Sequence, residues 1–122
     1  MTPTSNDQQQ REAIAAAANT VDGVNVTAHY RQSTKAGDGF VALSRGDRGS
    51  NGIGFMNKWE VFVALPQDMQ AAEKRLDVLL NPLVTALSSE LVVTGFYPTD
   101  LTLGSGSLPC VVIEGSRARD DI

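Results

Sequence analysis

Gly54-Phe-Met-Asn-Lys-Trp-Glu-Val-Phe-Val-Ala-Leu65 leads, through Pro66-Gln-Asp68, into Met69-Gln-Ala-Ala-Glu-Lys-Arg-Leu-Asp-Val-Leu-Leu80. The first stretch has a period of two. Phe55, Asn57, Trp59, Val61, Val63 and Leu65 fall on one face, and Met56, Lys58, Glu60, Phe62 and Ala64 on the other. This predicts a strand whose first face belongs to the core. Its second face begins polar and turns apolar at Phe62, as in a strand that runs beneath something at its far end. The second stretch switches to a helical period: Ala72, Leu76, Leu79, Leu80, Leu83 and Leu87 share a stripe, while Glu73, Lys74, Arg75 and Asp77 mainly face water. Asp68 is placed to cap this helix. Pro82 either kinks the helix or ends it, with Asn81 capping a short second one. The apolar register survives the proline, which favours the kink.

Towards the N-terminus, Asn6 or Asp7 caps a helix that continues through Ala18. Its alanines cost little entropy, and Ile14 is its only large interior apolar residue, so it offers a thin face that buries little area alone. Asn19 and Asp22-Gly23 end it. Val24, Val26 and Ala28 then alternate with polar residues in a first strand that ends near Tyr30. Between residues 31 and 52, glycines are interleaved with charge, and only 40–43 reads as a strand. The rest predicts two mobile surface loops, 32–38 and 44–52. Their region carries Arg31, Lys35, Arg45 and Arg48 against Asp38 and Asp47.

Towards the C-terminus, residues 91–97 form a fourth strand, Pro98-Thr-Asp100 turns the chain, and Leu101 and Leu103 extend an arm before the flexible 104–107 stretch. Residues 108–117 form the last strand, with Pro109 at an edge or bulge position. The expected fold is therefore α+β: an antiparallel or mixed sheet with two helices packed mainly on one face and long glycine-rich loops. One domain spans residues 1–122, with 1–6 and 118–122 as flexible tails. Trp59, Val61, Val63, Leu76, Leu80, Leu83, Phe96 and Val112 are expected in or beside the core.

An aromatic content of 6% fits a modest core better than an aromatic-lined ligand pocket. A net charge of -4 disfavours nonspecific nucleic-acid binding by the whole surface. No apolar run is long enough to cross a bilayer, and the first residues lack the pattern of a secretion signal. The single cysteine, Cys110, lies in an apolar strand and reads as a small buried hydrophobe. His29 is the only histidine, so no His-based metal cluster is available, and no serine sits in a nucleophile elbow. Phosphate-loop and dinucleotide-binding patterns are missing. Glu60, Asp68, Glu73, Asp77 and Asp120-Asp121 all have ordinary readings as strand, cap, helix-surface or tail residues. The chain therefore reads as noncatalytic, without metal or cofactor. A small hydrolase or nuclease is the disfavoured alternative, since no paired buried carboxylates present themselves.

The order of these elements resembles the tail terminator, or tail completion, family of long-tailed bacteriophages, particularly those infecting actinobacteria. The likeness lies in the opening helix ending at Val21-Asp-Gly-Val-Asn-Val26, the loop-rich middle, the strand 59–65 and the helix 67–87. It continues in the closing strands around Val92-Val-Thr-Gly-Phe-Tyr97 and 108–113. The resemblance implies a noncatalytic virion subunit that forms a homohexameric ring at the head-proximal end of the tail tube. There it would stop tube polymerisation and join the tail to a head-completion or stopper protein. It would act at the tail-neck junction after assembly in the host cytoplasm, with DNA passing unrecognised through the channel and no membrane involved. Another head-tail connector, stopper or minor tail protein is the alternative. The candidate assembly loops are those of Arg31, Lys35, Arg45, Asp47 and Arg48, with the arm of Leu101 and Leu103.

Overall fold

The computed structural model describes residues 6–30, 35–48, 54–103 and 106–118. In chain order the elements are α1 (Asn6–Ala18), β1 (Asn25–Thr27), β2 (Asp38–Arg48), β3 (Phe55–Ala64), α2 (Met69–Leu87), β4 (Val92–Leu103) and β5 (Gly106–Ala118). The strands form one mixed sheet in the order β1-β2-β3-β5-β4. Only β1 and β2 are parallel. The fold is α+β, with both helices on the same face of the sheet.

That face is the one the alternation of β3 marks. Trp59, Val61 and Val63 point into it beside Val26, Val41, Val111 and Ile113, and α1 contributes Ile14, Ala15 and Ala18. Ala72, Leu79, Leu83 and Leu87 close the core from α2, whose N-cap Asp68 accepts a hydrogen bond from the Ala71 amide at 3.0 Å. Leu76 and Leu80 are only partly buried at the margin of this cluster. Val112 is fully buried, but by alternation it faces away from the helices. Phe96 departs from expectation at 52% exposed, because it lies on the edge strand β4, outside the strip of sheet that the helices cover. Pro82 lies inside a single helix. The residue four positions earlier, Val78, is exposed, so water can reach the carbonyl that the proline leaves without a donor.

Several boundaries differ from the sequence reading, beginning with β1, which ends at Thr27 and not near Tyr30. Residues 44–48 are strand, not loop: a bulge between Leu43 and Arg45 shifts the register, and the ladder continues to Arg48 opposite Phe55. β4 does not turn at Pro98 but runs on to Leu103, because an edge strand needs hydrogen bonds on one side only. β5 begins at Gly106, inside the expected flexible stretch, and runs one residue past its expected end to Ala118, while Arg117 pairs with Glu90 at 2.6 Å. Pro109 pairs with Asp100 on one side and lies beyond the last β3 pair, Ala64 with Cys110, so it behaves as an edge position within an interior strand. Of the expected tails, 1–6 and 118–122, Asn6 belongs to α1 and Ala118 to β5; the expected loops fall partly on residues 31–34 and 49–53, and the rest of the tails on 1–5 and 119–122. These lie outside the described residues.

A thin alanine face cannot fix how α1 sits, and a buried polar network supplies what it lacks. The Gln10 Oε1 accepts from the Trp59 indole at 2.8 Å and from the Asn57 amide at 3.2 Å, while its Nε2 donates to the Ala118 carbonyl at 2.9 Å. Asn57 also donates to Asp7 at 2.9 Å. Arg11 lies over the Trp59 ring, 5.1 Å from its centroid, and donates to the Val41 carbonyl at 3.0 Å. At the far end of the helix, Asn19 clamps β1. Its Oδ1 accepts from the Val26 amide at 2.6 Å, and its Nδ2 donates to the Val26 carbonyl at 2.9 Å. The outer edge of β1 is thereby satisfied by a side chain of its own protein.

Two substitutions test this packing. Leu83→Ala removes a fully buried side chain and is expected to cost about 2–5 kcal/mol, with Leu80→Ala costing clearly less. Comparable shifts of the urea midpoint for the two would contradict the placement of the helix face. Gln10→Ala strips an acceptor from two buried donors and is expected to cost about 1–3 kcal/mol. Denaturation followed by the fluorescence of Trp59 checks it, and an unchanged midpoint would show that the network is dispensable.

Candidate assembly surface

Neither helix packs on the second face of the sheet, so the even positions of β3 and their ladder partners form a surface. Residues paired in register share a face and stand in rows across the strands. One row reads Arg45, Lys58, Ser116, Val92. The next reads Ala42, Glu60, Glu114, Gly95, and the third Phe40, Phe62, Val112, Tyr97. The surface is thus banded: basic, acidic, then aromatic.

The aromatic band extends past β2. Tyr30 meets Phe40 edge-on with centroids 4.9 Å apart, and Phe40 stacks on Phe62 at 4.8 Å. Tyr97 reaches from β4 across β5 to donate a hydrogen bond to Glu60 on β3 at 3.0 Å. Its ring therefore crosses above β5, which accounts for the full burial of Val112 on a face without a helix. Partial burial, followed by the hydrogen bond to Glu60 and the nearby carboxylates, raises the Tyr97 hydroxyl above its ordinary pKa. In a chain with one Trp, two Tyr and four Phe, most of the aromatics converge here instead of in the core.

The expected assembly residues do not gather into one loop cluster. Arg45 and Asp47 are strand residues on the banded face, joined by a bidentate ion pair with an Nη2–Oδ1 distance of 2.9 Å. Hydrogen bonding to Arg45 holds the Asp47 carboxyl below its ordinary pKa. Arg48 lies over the ring of Phe55, its ladder partner, at 4.8 Å. Lys35 is exposed in the turn before β2, and Arg31 lies outside the described residues. Leu101 and Leu103 pair with Leu108 and Gly106 at the end of the β4–β5 hairpin, far along the sheet from Arg45. The sequence reading missed Tyr30, Phe40, Tyr97 and Glu114 as members of a common surface. The turn to apolar residues at Phe62 was its only trace, since lateral rows depend on register, which one strand does not encode.

Other sites of potential chemistry are dispersed. A cleft of about 390 Å3 lies between the start of α2 and the β4–β5 hairpin, lined by Leu65, Met69, Leu76, Pro98 and Pro109, with Glu73 and Asp100 at its margin. His29 is exposed. Among the described residues no three His, Cys, Asp or Glu side chains converge as metal ligands, and no helix is long and apolar enough to cross a membrane. No protein-family model and no curated protein matches this chain.

Cys110 is free and buried, and burial pushes its thiol up to about 11. The nucleophilic thiolate is accordingly scarce at pH 8. Labelling by a disulfide reagent is expected to be slow in the native protein, to accelerate as pH approaches 11, and to become rapid in denaturant. Stoichiometric labelling of the folded protein within seconds at pH 8 would contradict this.

Proposed function

We propose that this protein is a noncatalytic assembly subunit that works as a phage tail terminator, capping the tail tube as a homohexameric ring and joining it to a head-completion or stopper protein. The observation that carries the reading is the banded sheet face. It combines ordered charge with aromatic area from Tyr30, Phe62 and Tyr97, which stay open beside the buried Phe40 and Val112, and neither helix of the subunit covers it. Apolar surface rimmed by charge is the composition of a protein interface. The sheet edges favour the same conclusion. Asn19 closes β1, and Pro98 leaves one position of β4 without a donor, so strand addition is weakened at both of those points. The element order that resembles terminators supplies the ring, the number six and the position at the neck. A head-to-tail contact must close to give the finite platform that a terminator presents.

Symmetry-free imaging of assembled tails, with the subunit located by labelling, tests the proposal. Six copies at the head-proximal end of the tube are expected. Twelvefold occupancy, or a position beside the portal, would move the assignment to a connector or stopper. Tyr97→Ser is expected to leave the thermal midpoint within a few degrees of wild type while sharply reducing incorporation into tails. Normal incorporation would remove the banded face from the ring contacts.

A further inference from the structure

The Lys58 and Glu60 rows complement each other in a face-to-face pair when the two-fold axis runs across the strands, and oppose each other when it runs along them. The basic row of Arg45 and Lys58 lies immediately beside the acidic row of Glu60 and Glu114, one step of two residues along β3. Two copies brought face to face by a two-fold axis parallel to the strands would set basic row on basic row and acidic on acidic. An axis running across the strands, midway between the rows, reverses the strand direction and sets each basic row over the partner's acidic row. Lys58 of each copy then stands over Glu60 of the other, twice by symmetry. The same operation carries Phe62 over Met56, an aromatic–thioether contact that both strands can supply. Sheets packed in this aligned manner lie about 10 Å apart, a gap that a lysine and a glutamate span together.

We infer that a second copy of this chain occupies the banded face, forming an isologous antiparallel dimer held by reciprocal Lys58–Glu60 ion pairs, with the aromatic row of each copy over the Met56 row of the other. The operation overlays the β3 positions 56–62 on themselves in reverse, so four strands about 4.8 Å apart and seven positions about 3.4 Å apart offer about 450 Å2 per copy, hence about 900 Å2 in the pair. That is the size of a weak, concentration-dependent pairing. Lys58, Glu60, Phe62 and Met56 are all partly exposed in the single chain, so each has area left to bury. A two-fold dimer is closed and cannot itself extend into a ring. It goes beyond the terminator reading as a soluble form that hides the assembly face until a competing partner opens it.

Sedimentation velocity over a concentration series provides the test. Wild type is expected at twice the monomer mass at the upper concentrations, weakening as salt is raised. Lys58→Glu and Glu60→Lys are each expected to weaken pairing by about a hundredfold, through like charges set against each other. Mixed in equal amounts, these two variants should recover a dimer, because both ion pairs re-form in the heterodimer, one of them with its sign reversed. A wild type that stays monomeric at every concentration, or a mixture that fails to recover, would overturn the inference. A second measurement needs no substitution. Carbodiimide coupling of Lys58 to Glu60 in a mixture of isotopically light and heavy wild-type protein should yield light–heavy cross-linked peptides, and products of single isotope only would overturn it. Neither experiment involves tails, so its failure leaves the ring proposal standing, and failure of the ring leaves the dimer standing.

Discussion

The side chain of Gln10 holds three parts of the molecule in register. It joins α1 to β3 through Trp59 and Asn57, and to the end of β5 through the Ala118 carbonyl. Apolar packing alone would let α1 slide, because alanines present a nearly featureless surface with Ile14 as the single large knob. Hydrogen bonds are directional where packing is not, and an unmatched buried donor is costly, so only one seating of the helix satisfies the set. The largest side chain of the core, Trp59, is fixed by the same amide. The position of α1 in turn places Arg11 on the Val41 carbonyl and Asn19 on β1, so the covered half of the sheet is organised from this point.

The strands and helices were largely legible because they rest on local periodicity. β3 announces its core face through Trp59, Val61 and Val63, and α2 announces its stripe through Leu79, Leu83 and Leu87. Three features were not legible, for a common reason: each depends on what lies alongside. Residues 44–48 carry the glycine and charge of a loop, yet β3 supplies partners that keep them extended. Pro98 reads as a turn but is tolerated in a strand paired on one side only. Phe96 alternates as a core residue should, but β4 lies at the margin of the sheet, where alternation no longer implies cover.

The candidate surface was less legible still. The charged residues first singled out for assembly are divided by the structure between the banded face, the opposite face and a turn. The rows that matter join Phe40, Phe62 and Tyr97, which are widely separated in sequence. Glu60 and Glu114 illustrate the difficulty, since each is an unremarkable polar position in its own strand and they become a pair only through the β3–β5 register. Such lateral neighbours can place two like charges together where neither strand alone shows a conflict.

The strand order has a kinetic consequence. β2–β3 and β4–β5 are both pairs of strands adjacent in sequence, whereas the β3–β5 seam joins residues about fifty positions apart, with α2 and β4 between them. Loop-closure entropy makes the two hairpins the early structures and the seam the late one. α2 spans the gap, and its helical collapse shortens the search for that seam. Substitutions within either hairpin and substitutions along the seam should therefore divide differently between the rates of folding and unfolding. The fold behaves as two halves that meet, with Trp59 and Val61 on one side of the closing joint and Gly115 and Ile113 on the other.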